Sequence, residues 1–222
     1  MTKRAREATP QARQNYYDTL KQWYSYPEQL VFLDETSKDG RDAMRRYARS
    51  RVNTPALVKI PFSRGKRVSA VAAFSTDGFM GFDTTPGTFT RGSFHESFKA
   101  IVLPKLQPWP LPRSIVIMDN AKIHCYPELF EMIHRCGAKL FFLPPYSPDL
   151  NPIEFALSFL KKYSQKHYYL SFRKYPSETL KVCFRKCTEN MNLLETFRHC
   201  GYSRGSLIKE RFFVDNTSDE MI

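Results

Sequence analysis

No run of about 18 apolar residues occurs in the chain, so no segment is apolar for long enough to cross a bilayer as a helix. The opening residues, Met1-Thr-Lys-Arg-Ala-Arg-Glu7, have no apolar stretch behind them and lack the form of a secretory signal. There is no CxxC pair, and the five cysteines (Cys125, Cys136, Cys183, Cys187, Cys200) are an odd number. That argues against a regular disulfide framework and for a reduced, intracellular setting. No histidine pair stands at zinc spacing, and Cys183 and Cys187 read as one face of a buried helix. Internal repeats and low-complexity tracts are absent.

Acidic residues are also in short supply. Against 34 Lys and Arg there are 22 Asp and Glu, a formal net charge of +12, which favours polyanionic partners. The excess is local. Residues 38–67 hold ten Lys and Arg against Asp39 and Asp42, while residues 68–154 hold seven basic and eight acidic residues. A basic segment therefore precedes a near-neutral middle. With Tyr47 and Phe62 in that segment, contact with a phosphate backbone is expected of Arg41, Arg45, Arg46, Arg49, Arg51, Arg64, Lys66 and Arg67.

What is present is an α/β pattern on 222 residues, the length of one domain with a small appendage. Residues 11–25 have helical apolar spacing. Leu30 to Leu33 reads as a buried strand delivering Asp34 at its end. Val68 to Phe74, the turn Ser75-Thr-Asp-Gly78 and Phe79 to Thr84 form a hairpin. Ser93 can cap a helix that stops near Pro104. Ile115 to Met118 is a second buried strand presenting Asp119, a helix spans 126–135, and 138–143 is the last strand of a mixed five-stranded sheet. Helices follow from 152 to about 169, from 177, and from 194 to 199, while residues 1–10 and the last ten are expected to be unstructured. The expected divisions are 1–29 (helix or linker), 30–170 (the sheet domain) and 171–222 (a helical extension).

After the last strand, Asn151 suits a helix N-cap and Pro152 the first helical position. Ile153, Ala156, Leu157 and Leu160 give that helix a buried face, with Glu154 at its edge. Asn151-x-x-Glu154 is also a capping-box spacing, so Glu154 suits either a cap or a catalytic carboxylate. Asp34, Asp119 and Glu154 can converge on the ligand edge of a parallel sheet. Three convergent carboxylates repel one another, and hard divalent cations relieve the repulsion. Two such ions, about 3.5–4 Å apart, serve phosphodiester displacement. Glu35 points to the opposite face from Asp34 and reads as structural or as a support behind the ligands. Asn120 and His124 follow Asp119 closely and are candidates for the same supporting place; His124 could orient a water or phosphate, but a packed, hydrogen-bonded histidine is the better reading. Asp149 could serve as a reserve ligand but reads first as turn chemistry, and Tyr146 and Trp109 read as packing before base stacking.

Three blocks, Phe32-Leu-Asp-Glu35, Ile117-Met-Asp-Asn-Ala-Lys-Ile-His124 and Leu143-Pro-Pro-Tyr-Ser-Pro-Asp-Leu-Asn-Pro-Ile-Glu154, resemble the signature blocks of the DDE transposases of the mariner superfamily. The order agrees, as do the 34 residues between Asp119 and Glu154. The resemblance covers about residues 28–170. It implies a ribonuclease H-like catalytic domain with two Mg²⁺ or Mn²⁺ ions on Asp34, Asp119 and Glu154. It also implies DNA strand cleavage and transfer at transposon ends and target, action as a homodimer, and residence in the nucleus. Members of that family carry N-terminal helix-turn-helix modules, whereas only about 29 residues precede the first strand here. A catalytically silent, domesticated or truncated derivative that binds DNA without sequence preference is the alternative.

Overall fold

The computed structural model describes residues 9–39, 49–57, 67–189 and 191–212. Helix α1 (Pro10–Lys21) starts at Thr9, whose hydroxyl accepts from the Ala12 N–H at 3.3 Å. Strands β1 (Leu30–Lys38), β2 (Val68–Ser75) and β3 (Gly78–Pro86) follow. Next come α2 (Arg91–Ile101), β4 (Ile115–Met118), α3 (Pro127–Arg135), β5 (Lys139–Phe142) and α4 (Pro152–His167). The chain continues through α5 (Tyr169–Lys174), α6 (Pro176–Glu189), α7 (Leu193–His199), a small hairpin of β6 (Tyr202–Ser203) and β7 (Ser206–Leu207), and α8 (Lys209–Phe212).

The large sheet has the order β3-β2-β1-β4-β5. The pairs β1–β2 and β2–β3 are antiparallel, while β1–β4 and β4–β5 are parallel. Three antiparallel strands followed by strand–helix–strand–helix is the ribonuclease H-like arrangement. Several boundaries differ from the sequence expectation. Strand β1 does not stop before Asp34: it runs to Lys38, because Asp34 to Lys38 continue the ladder with Ala72 to Val68 of β2. Only the parallel pairing with β4 ends at Leu33, opposite Met118. The cap of α2 is Thr90, with Ser93 as its reciprocal partner three residues on. The β6–β7 hairpin and α8 are too short to carry a periodic signal in the sequence.

Both faces of the sheet are covered. Alternation along β1 sends Leu30 and Phe32 into a core with α1, α4, α6, α7 and α8, and Val31 and Leu33 into a second core with α2 and α3. Phe32, wholly buried, meets the rings of Phe197 at 5.7 Å and Tyr202 at 5.2 Å. Burying such a ring contributes roughly 1.5–3 kcal/mol. Cys183 and Cys187 lie buried in the same core, as the helical spacing predicts. The Tyr202 hydroxyl donates to the Leu150 carbonyl at 2.8 Å, tying the C-terminal hairpin to the loop that leads into α4. By the same alternation Asp34 faces the α4 side, and Glu35 faces the opposite one.

Candidate active site

Because β1, β4 and β5 run parallel, their C-terminal ends share one edge of the sheet. There, a cleft of about 440 Å³ is lined by Asp34, Asp119, Asn120, the turn Leu143 to Pro148, Asn151 and Glu154. Asp34 comes from β1 where its parallel partner ends, Asp119 directly follows β4, and Glu154 stands in the first turn of α4. The structure thus brings the three sequence-predicted carboxylates to a single cavity from three separate elements.

Their environments differ. Asp34 is 8% exposed; burial first, then the negative charges of Glu154, Asp119 and Glu35, push its carboxyl up to about 7. Its Oδ1 accepts the Glu35 backbone N–H at 2.7 Å and its Oδ2 accepts the Asn151 amide at 3.0 Å. Asp119 lies on the other side of the balance. Its Oδ1 accepts from His124 Nδ1 at 2.8 Å and from the Ala121 N–H at 3.0 Å, and the His124 bond holds its carboxyl below the usual value. Glu154 is exposed on the cleft wall.

His124 is wholly buried beside the ring of Phe94, 4.7 Å away, yet carries partners on both nitrogens. Burial disfavours its charge, but the hydrogen bonds and charges of Asp119 and Glu35 (Nε2 to Oε1, 2.8 Å) outweigh burial and lift it to about 10. Both ring nitrogens of the resulting imidazolium donate. Glu35 therefore does not line the cleft; it reaches Asp119 through His124. Asn120 does line it, and its amide donates to the Leu143 carbonyl at 2.6 Å, joining the ends of β4 and β5.

The capping-box reading of Glu154 is not realised. Asn151 occupies the N-cap position of α4, but its side chain makes no capping bond and turns to Asp34 instead. Asp149 is held away from the site by a two-pronged bond to Arg13, at 3.1 and 2.6 Å. Tyr146, read as a packing residue, is 63% exposed on the cleft wall with its backbone in the left-handed region, φ 54°. Trp109 does pack, edge-on to Trp23 at 5.2 Å, and its N–H donates to the Trp23 carbonyl. Of the basic residues predicted to meet phosphate, Arg49, Arg51 and Arg67 are exposed, and Arg67 donates to the Ser37 hydroxyl at 3.0 Å. Arg41, Arg45, Arg46, Arg64 and Lys66 lie outside the described residues. Sequence reasoning passed over Asn151, whose partner is 117 residues away. It also passed over residues 161–186, where eight Lys and Arg face one acid, Glu178, a signal that a running charge count reveals.

A mixed sheet of this order, with carboxylates gathered where the parallel pairing of its central strands ends, defines a ribonuclease H-like domain. Within that class the chain belongs to the DDE superfamily endonucleases, whose family model matches residues 29–175. No curated protein matches the chain in sequence. Among solved structures, the catalytic domain of Mos1 mariner transposase is similar at 16% identity and a TM-score of 0.63, covering 96% of this chain and 94% of that one. The Mos1 mariner paired end complex with Mn matches at 17% identity and a TM-score of 0.63, over 96% of this chain and 64% of that one. A pre-cleavage Mos1 transpososome matches at 16% identity and a TM-score of 0.58, over 97% of this chain and 68% of that one. This chain thus spans about two thirds of those longer transposase chains, and at such identities the likeness is one of fold.

Proposed function

We propose that this chain cleaves DNA strands and joins the freed ends to target DNA, as a catalytic domain working with two Mg²⁺ or Mn²⁺ ions in the nucleus. One observation carries the reading: three carboxylates from distant parts of the sequence face one cleft, where burial and mutual repulsion lift Asp34 to about 7. The Mos1 structures, among them complexes with Mn, with Mg and with a transposon end, support it by analogy of fold.

The donor set suits a hard cation, since the charged groups lining the cleft are all carboxylates. Mg²⁺ takes one or two carboxylates and completes its shell with phosphate and water. Asp34, Asp119 and Glu154 would hold the ions, which when bound activate the attacking oxygen and stabilise the leaving one. The remaining residues prepare that arrangement. His124 fixes the Asp119 carboxylate through Nδ1, Glu35 holds His124 through Nε2, and Asn120 pins the turn that forms the cleft wall. Arg49, Arg51 and Arg67 supply positive charge for the backbone, together with the basic residues at 41, 45, 46, 64 and 66.

Incubating the purified chain with Mn²⁺ and supercoiled plasmid tests the proposal: nicked circles are expected, and Asp119→Asn abolishes them. Nicking no greater than that of Asp119→Asn overturns it. A second reading, a silent derivative that only binds DNA, is favoured by the spacing of the groups. Among the described residues no three His, Cys, Asp or Glu side chains stand close enough to enclose an ion by themselves. It predicts salt-dependent binding that survives loss of all three carboxylates, with no cleavage.

A further inference from the structure

We infer that Asn151 is a positioning residue for Asp34, an inference that rests on the metal-site reading of the cleft. Asn151 is 4% exposed at the head of α4. An asparagine there ordinarily accepts a backbone N–H of the first turn, which stabilises the helix. This one makes no such bond, and its Oδ1 is buried with no partner. An orphaned buried acceptor is destabilising, because it has given up water and gained nothing in return. Two local sources of stability are forgone while Nδ2 donates to Asp34 Oδ2 at 3.0 Å. Native chains break local rules of this kind where a site requires it.

The chemistry explains the choice of an amide. With Oδ1 fixed by the Glu35 N–H and Oδ2 by Asn151, each Asp34 oxygen has one set donor and keeps a second acceptor position. A Lys or Arg in place of Asn151 would hold the carboxylate too, but its charge would compete with a divalent cation. A neutral donor orients the ligand without that competition.

Asn151→Ser separates the two roles, because serine is a good N-cap and too short to reach Asp34. The expected result is a melting temperature in EDTA equal to or above wild type, with Mn²⁺ affinity by titration calorimetry about 10-fold weaker, the usual scale for partners of metal ligands. Asn151→Ala, which removes the donor without adding a cap, should show the same loss of affinity. Wild-type Mn²⁺ affinity in either folded variant overturns the inference, as does a fall in melting temperature with affinity unchanged. A wild-type chain that binds no Mn²⁺ overturns the metal reading itself.

A separate observation concerns charge. We propose that the outer face of α4, α5 and α6 is a second surface for the DNA backbone. Lys161, Lys162, Lys166, Arg173, Lys181 and Arg185 are all exposed there, on three helices that pack against one another. An ordinary solvated face intersperses both signs, whereas residues 161–186 hold a single acid, Glu178, and the next, Glu189 at the end of α6, is paired with Lys186 at 3.1 Å. By helical rise, Lys161 lies about 10 Å and Lys166 about 18 Å along α4 from Glu154. Duplex DNA entering the cleft would reach them within roughly three to five base pairs.

The test is fluorescence anisotropy of a 30-base-pair duplex over a salt series. Lys162→Glu with Arg185→Glu is compared with Lys99→Glu with Arg135→Glu, an equal charge change on the opposite layer. The first pair should weaken binding at least 10-fold and flatten the salt slope by about one to two, at roughly 0.9 per phosphate contact. The control pair should change affinity no more than threefold. Equal effects from the two pairs overturn the proposal, and the outcome is readable whether or not the chain nicks DNA.

Discussion

Asp34→Asn should stabilise the metal-free protein, and by an amount that depends on pH. Raising the carboxyl from 3.8 to about 7 corresponds to roughly 4 kcal/mol, at about 1.4 kcal/mol per pH unit. The sign follows from linkage. The folded state binds this proton more tightly than the unfolded chain, so the contribution is fully present below the unfolded value and is lost as pH rises through 7. Asparagine mimics the neutral acid at every pH. Its oxygen can accept the Glu35 N–H while its NH₂ faces Asn151, whose unpartnered Oδ1 can turn to accept it. The variant should therefore match wild type near pH 4 and exceed it at pH 8 by up to about 4 kcal/mol, or about 8–16 °C for a chain of this size. Thermal denaturation in EDTA from pH 4 to 8 measures the difference. A gap that does not open between pH 4 and 7 refutes the electrostatic account of the cleft. Adding Mn²⁺ at pH 8 should close the gap from the wild-type side only.

Glu154→Gln should abolish nicking and leave the metal-free melting temperature equal to or a few degrees above wild type, because an exposed carboxylate off the core contributes little itself while its removal relieves the repulsion on Asp34. Thermal melts alongside plasmid assays check both halves. His124→Ala leaves Asp119 and Glu35 without their shared donor and opens a cavity beside Phe94; a loss of about 2–4 kcal/mol in urea unfolding is expected, the half-exposed Asp119 moderating the effect. Tyr202→Phe deprives the Leu150 carbonyl and the Tyr16 hydroxyl of a partner, and should cost about 1–3 kcal/mol by the same measurement without affecting cleavage chemistry.

Much of this molecule is legible in its residues. The apolar runs Leu30 to Leu33 and Ile115 to Met118 mark two adjacent parallel strands, and Asn151-Pro152 marks the start of α4 to the residue. Sequence periodicity reads burial, however, and not hydrogen bonding. It ended β1 at Leu33 because Asp34 to Lys38 are polar, whereas the ladder to β2 keeps the strand going through them. Asn151 shows the limit most clearly. Its local signature is that of a cap, and only the fold brings Asp34 within 3.0 Å of its amide. The His124 bridge is hidden for the same reason: Asp119 is a close sequence neighbour, but Glu35 is 89 residues away. Tyr146 reads as packing in the sequence, yet a turn held at positive φ presents it to solvent.

Anomalous diffraction from Mn²⁺-soaked crystals of the chain bears most directly on the cleft as a catalytic metal site. Two peaks about 3.5–4 Å apart, contacted by the carboxylates of Asp34, Asp119 and Glu154, are predicted. A cleft without Mn²⁺ at saturating concentration, or ions held by other residues, would contradict it.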